Sequence, residues 1–193
     1  TFDDDVFAGL VNGTGRAALS AGPLARFDAP GLLNALDRYP YGCTEQITSR
    51  ALPLLYLDGV AAAMGLATRD KIGERIEQAI AEITSNQAAN GAFGLWRPVS
   101  GDLWLDAYVT DFLTRARAVG YAVPDVAYDN AVQNLRNAAN YYPDFDQGGE
   151  DLAYALFVLA REGEAAVGDL RYYADQKAGA FSSPLALAQL GAA

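Results

Sequence analysis

A chain of 193 residues suits one domain with a sizeable core, and 51% apolar with 20% charged residues is the composition of an ordinary globular protein. A formal net charge of -10 repels phosphate backbones and anionic lipid, which argues against nucleic acid and direct membrane contact as partners. One cysteine excludes an internal disulfide. The absence of histidine removes the Ser-His-Asp triad, the Cys-His dyad and the usual zinc sites, so neither metal nor cofactor is expected.

The N-terminal stretch 1–30 carries no helical stripe. It opens on "TFDDD" without a signal peptide, as if cut from a longer protein. Asp3, Asp4 and Asp5 read as an acidic solvated tail. "NGT" (12–14) fits a glycosylation pattern, but Asn-Gly is first a turn signal. "RAALSAGPLARF" (16–27) reads as a short extended segment. In "YPYGCTEQITSRALP" (39–53), Pro40 and Gly42 mark a turn and Thr44 onward reads as helix. Cys43 and Gln46 then stand at i and i+3, with Cβ atoms about 5–6 Å apart. Unpaired N–H groups at a helix N-terminus favour a thiolate. Attack of that thiolate on the Gln46 amide expels ammonia and leaves an internal thioester. The alternative is a small buried hydrophobe, the common fate of a free cysteine.

Beyond residue 67 two kinds of segment alternate. "TRDKIGERIEQAIAEITSNQ" (68–87) places Ile72, Ile76, Ile80 and Ile83 at helical spacing between charges. "DVAYDNAVQNLRNAANYY" (125–142) does the same with Ala131, Leu135, Ala138 and Tyr142. By contrast "DLWLDAYVTDFL" (102–113) and "EDLAYALFVLA" (150–160) are apolar nearly all round, which predicts enclosed helices. Both carry an Ala-Tyr pair, about fifty residues apart. Gly, Pro, Asn and Asp clusters separate the segments: "NQAANGAFG", "RPVSGD", "YAVPD", "PDFDQGGED" and "KAGAFSSP". Two concentric layers of helical hairpins account for this alternation; an irregular helical bundle is the other reading.

"PYGCTEQ" (40–46) resembles the thioester motif of the alpha-2-macroglobulin and complement family, Pro-Tyr-Gly-Cys-x-Glu-Gln. Pro53 and Tyr56 follow at the family's spacing, and residues 25–56 are most similar to bacterial members. "QAANGAFG" (87–94), "DLWLDAYV" (102–109) and "GGEDLAYAL" (148–156) are similar to further family motifs, so the resemblance runs from about residue 22 to the end. It implies an all-α fold, an alpha/alpha toroid of helical hairpins. With seven or eight helices by sequence the toroid would be incomplete, with a short extended N-terminal segment. Residues 1–25 would connect from a neighbouring β domain, and 26–193 would form the partial thioester-containing domain.

The resemblance also implies a mechanism. A protease cleaves a bait region elsewhere in the protein, the body rearranges, and a surface lysine of the protease attacks the glutamine acyl carbon. Gln46 would supply the acyl group and Cys43 the leaving thiolate, in a single-use transfer without turnover. Partners would be target proteases, held through lysine amines, and neighbouring domains of the same protein. The location would be the bacterial periplasm or cell envelope, in host defence or colonisation. Tyr41 and Gly42 would shape the turn, and Glu45 would support the site from the first helical turn, where a solvated carboxylate is the alternative. Tyr39, Trp104, Tyr108 and Tyr154 would wall it with aromatic surface or pack in the core. Some complement members carry a histidine before the Gly-Gly helix start that redirects the acyl group to hydroxyls. "NYYPDFDQGG" (140–149) offers instead Tyr141, Tyr142, Asp144 and Asp146, which predicts reaction with amines. Two other readings compete: a toroid glycoside hydrolase or lyase using carboxylates among Asp102, Asp106, Glu150 and Asp151, and an interaction scaffold with no thioester formed.

Overall fold

The computed structural model describes residues 8–15, 29–37, 42–56 and 69–193. Its helices are α1 (Ala29–Asp37), α2 (Thr44–Ala51), α3 (Arg69–Ser85), α4 (Leu103–Ala118), α5 (Asp125–Asn140), α6 (Glu150–Arg161), α7 (Val167–Gln176) and α8 (Pro184–Ala192), with a 3-10 turn at Ala178–Ala180. No strand occurs among the described residues. The acidic triplet at 3–5, the extended segment expected at 16–27 and the domain boundary expected at residue 25 lie outside them. At 11–14 the Asn-Gly signal is a turn, with Thr14 N–H donating to Val11 O and Gly13 at φ 83°.

The helices begin and end where local chemistry stops them. Asp102 caps α4 by accepting from Leu105 N–H at 2.8 Å. Ser183 caps α8 by accepting from Ala186 N–H, with Pro184 in the first turn. The ends of α4 and α6 share one device. Tyr121 N–H returns to Ala116 O and Gly120 N–H to Arg117 O, while Glu164 N–H returns to Leu159 O and Gly163 N–H to Ala160 O. This is the Schellman closure, and it needs the left-handed backbone that Gly120 and Gly163 supply, at φ 99° and 72°.

The sequence alternation becomes two layers. Helices α2, α4, α6 and α8 pack successively on one another, and α3, α5 and α7 cover them from outside. Outer α3 buries one stripe, Ile72, Ile76, Ala79, Ile80 and Ile83; outer α5 buries Ala131, Val132, Leu135 and Ala139. Inner α4 buries residues on most of its circumference, from Leu105 to Ala116, and inner α6 does so from Leu152 to Leu159. The architecture is an alpha/alpha toroid of helical hairpins, as expected. Inner α4 and α6 are each followed by an outer helix running back, and the pairs Ser49–Tyr108 and Tyr56–Arg115 keep α2 in step with α4, so the inner helices start at the same end. No helix among the described residues is long and apolar enough to cross a membrane.

One expectation needs correction. Residues 102–113 read as apolar nearly all round and therefore enclosed, yet Trp104 is 43% exposed. It lies on the inner face of α4, turned to the centre of the toroid. Apolar composition signals burial by neighbours but does not tell a packed helix face from one that borders an open lumen.

Candidate functional site

Helix α2 starts at Thr44, and Cys43 is its N-cap, with extended backbone at φ -72° and ψ 159°. Gln46 is therefore the third helical residue. The expected i, i+3 pair is thus an N-cap and N3 pair, the spacing of a capping box, in which the two side chains turn toward each other across the first turn. Cys43 makes no side-chain capping bond and is buried at 6% exposure. Gln46 Oε1 is buried and has no hydrogen-bond partner among the described residues. A buried amide oxygen left in this state costs about 1–3 kcal/mol, so it calls for a physical reason.

The first turn of α2 is held from outside the helix. Thr44 N–H donates to Leu95 O at 2.8 Å, and Thr44 Oγ1 donates to Gly94 O at 2.6 Å. Asn86 Nδ2 donates to Thr44 Oγ1 at 2.9 Å, and Gly94 N–H closes on Asn86 O. The 86–95 loop is itself pinned. Asp106 Oδ1 accepts from Phe93 N–H at 2.7 Å, and Asp106 Oδ2 accepts from Asn134 Nδ2 at 2.7 Å. Asp106 is buried, and that burial pushes its carboxyl above the usual carboxylate value, against the pull of those two donors. Phe93, the aromatic of "QAANGAFG", is fully buried beneath the turn.

The toroid's inner wall continues from α2. Ser49 Oγ donates to Glu45 Oε1 at 2.7 Å and stands 3.0 Å from the Tyr108 hydroxyl. Tyr108 stacks on Trp104 with ring centroids 5.0 Å apart. Beyond them Tyr154 donates to Asp111 Oδ2 at 2.9 Å, and Arg115 and Arg161 both pair with Asp111 Oδ1. Tyr108 and Tyr154, the tyrosines of the two Ala-Tyr pairs, do the same work one repeat apart. Each reaches back from its inner helix to the preceding one, while Ala107 and Ala153 are fully buried behind them. Burial pushes both phenols above their ordinary value. Trp104, Tyr108 and Tyr154 thus border an open cleft of about 450 Å³, with Glu150, Phe157 and Leu185 across it. Trp104 is exposed there, whereas Tyr108 and Tyr154 are half-buried and Tyr154 also packs against the core around α6.

Tyr39 and Tyr41 lie outside the described residues. Gly42 is exposed and precedes the cap. The stretch before α6 is committed to local structure. Tyr142 donates to Asp151 Oδ1 at 2.7 Å, Asp144 pairs with Lys177 at 2.6 Å, and Tyr141 and Asp146 are exposed. It belongs to the same end of the toroid as Cys43, because both precede inner helices. Of the four carboxylates a hydrolase would draw on, three are occupied. Asp102 caps α4, Asp106 holds the loop, and Asp151 accepts from Tyr142 and from Leu152 N–H. Only Glu150 is left, without a second carboxylate from that set to face it. No cluster of metal-ligating residues occurs among the described residues.

Four residues escaped the sequence reading: Thr44, Asn86, Ser49 and Asp111. Thr44 and Asn86 meet across 42 residues, and Asp111 and Arg161 across 50, so no local pattern marks them. Ser49 carried a weak signal, standing four residues after Glu45 on one helix face.

Residues 20–144 match the family model described as the A-macroglobulin TED domain. The alpha-2-macroglobulin of Escherichia coli K12 is 35% identical over 175 residues, covering 83% of this chain and 10% of that protein. The chain spans about a tenth of the length of the curated relatives it matches. Among solved structures, Salmonella alpha-2-macroglobulin reacted with methylamine superposes with a TM-score of 0.74 at 34% identity, covering 84% of this chain and 11% of that one. The trypsin-activated alpha-2-macroglobulin of Escherichia coli gives 0.68 at 33% identity, covering 79% and 11%.

Proposed function

The chain belongs to the alpha-2-macroglobulin family through its TED domain, and from that membership we propose that it is the thioester-bearing part of a protease-trapping inhibitor. The observation that carries the reading is the buried, unpartnered Gln46 Oε1, at the third position of the helix that Cys43 caps. An amide oxygen is a strong acceptor and is costly to bury alone. A thioester carbonyl is a weaker acceptor, so the same pocket suits the acyl group better than the free glutamine.

In forming the bond, Cys43 Sγ attacks Gln46 Cδ. The C–S bond forms, the C–N bond breaks, and the thiol proton leaves with the nitrogen as ammonia. In use, an amine attacks the same carbon, the C–S electron pair returns to sulfur, and the product is an amide with a free Cys43 thiol. Each molecule acts once, so this is an inhibitor and not an enzyme. The targets are proteases linked through lysine amines. This fits the Salmonella relative reacted with methylamine and the Escherichia coli relative activated by trypsin. We assign residues 1–25 to the connection from a neighbouring domain and 26–193 to the thioester domain, in a protein of the bacterial periplasm or envelope.

The test is intact mass on the full-length protein that contains this chain. A mass one ammonia below the sequence value, with Cys43 unreactive to thiol reagents until methylamine is added, is expected. A thiol free from the outset in the full-length protein sinks the reading. With no histidine in the chain, methylamine is expected to label Gln46 in preference to glycerol. Faster labelling by glycerol would overturn the amine preference.

A further inference from the structure

Ser49 has one hydroxyl hydrogen, and it points to Glu45 Oε1 at 2.7 Å. The 3.0 Å contact between Ser49 Oγ and the Tyr108 hydroxyl must therefore be donated by the tyrosine. The bonds run one way, from Tyr108 to Ser49 to Glu45, and end on a carboxylate whose other oxygen carries no bond among those described. That carboxylate adjoins Gln46 in sequence and shares with it a cleft of about 250 Å³, lined also by Leu36, Ser49 and Arg50. We propose that Glu45 is the proton acceptor for the incoming amine, and that Ser49 and Tyr108 are positioning residues that hold it in place. The inference rests on the thioester reading above.

An amine that attacks Gln46 Cδ forms an N–C bond and becomes positively charged. It must lose a proton before the C–S bond breaks productively, since otherwise the amine is the better leaving group. Glu45 takes that proton, the C–S electron pair goes to Cys43 Sγ, and the proton passes on to the thiolate or to water. The products are an amide at Gln46 and a Cys43 thiol. A carboxylate already fixed by a donated bond does this without first finding its orientation. The desolvated Tyr108 phenol keeps its proton, with a value above the ordinary tyrosine range, and so stays a donor throughout. The other charges near the triad are Arg50 on the same cleft, Asp111 on α4, and Arg75 and Glu82 on α3, which line the far side of α2 with Arg50.

Without an internal base, aminolysis of an alkyl thioester recruits a second amine molecule to remove the proton. The order of reaction in methylamine therefore reports the acceptor, which a purely structural role does not move. In the full-length protein, thiol release from wild type should be first order in methylamine. Glu45→Gln should be slower by about a hundredfold and gain a second-order component. Ser49→Ala should be slower by about tenfold, the scale of one hydrogen bond to a charged group, and Tyr108→Phe by a smaller factor of about three to ten, because its bond goes to the neutral Ser49 hydroxyl. The mass deficit of one ammonia should persist in all four proteins. Unchanged rate and order in Glu45→Gln, with the mass deficit present, overturn the relay and leave the thioester standing. A wild type without the mass deficit overturns both. Should Tyr108→Phe fail to fold, Ser49→Ala carries the same prediction.

Discussion

At Gly149, the N-cap of α6, the backbone takes φ 73°, a left-handed conformation that only glycine adopts without strain. A Cβ there would lie 2.6 Å from Phe145 Cε2 and 3.0 Å from Phe181 Cε1. Gly149→Ala combines backbone strain with a clash against two packed rings, so a loss of about 1–3 kcal/mol is expected in urea unfolding. A change under half of that would show that the Phe145 and Phe181 rings yield freely. The same residue scale shows what sequence made legible. The spacing of Cys43 and Gln46 was readable, and so was the helix start at Thr44, because Pro40 and Gly42 cannot continue a helix. Their relation as N-cap and N3 was not, since it depends on Cys43 being extended. The tethers on Thr44 were also hidden, because Gly94 and Asn86 are brought to it by the fold.

At the scale of elements, Asp106 joins three of them: the 86–95 loop, α4 and, through Asn134, α5. Its carboxyl is raised in the folded state, chiefly by desolvation. A raised acid binds its proton more tightly folded than unfolded, so its contribution to stability is present below the unfolded value. That contribution is lost as pH climbs through the folded value. Asp106→Asn keeps an oxygen for Phe93 N–H and removes the titration. The stability of the variant relative to wild type should therefore rise as pH climbs above the ordinary aspartate value of about 4, read from denaturant midpoints across a pH series. A constant difference would mean that Asp106 is as well solvated by its donors as by water. Element type was legible for α3 to α6, because the one-sided isoleucine stripe of α3 and the all-round apolarity of α6 carry different periodic signals, whereas the short α1 and α7 gave no comparable stripe. The exception, Trp104 on α4, arose because a lumen and a core both select aromatic residues.

At the scale of the whole molecule, successive inner helices are bound to one another by polar side chains on the lumen side. Asp111, 3% exposed, receives Arg115 from its own helix and Arg161 and Tyr154 from α6, and Arg115 extends the set to Tyr56. Asp111→Asn leaves two guanidinium groups without their counter-charge, and because both arginines keep part of their solvation the loss should be about 1–3 kcal/mol. Thermal unfolding should register that loss, and a shift of under one degree would place the network among dispensable surface pairs. The layered architecture was legible from the alternation of segment types, but this hub was not. An aspartate within an apolar run gives no sign of which arginine, fifty residues on, will meet it.

The solitary oxygen of Gln46 has a further consequence for timing. Attack at an acyl carbon drives negative charge onto its oxygen, and each fixed N–H waiting there is worth about 10²–10³ in rate. Around Gln46 Oε1 no donor waits among the described residues. As far as the described residues go, the proposed acyl group is thus stored where no donor assists water or amine. A rearrangement that brought a donor to this one atom would speed its reaction by that factor.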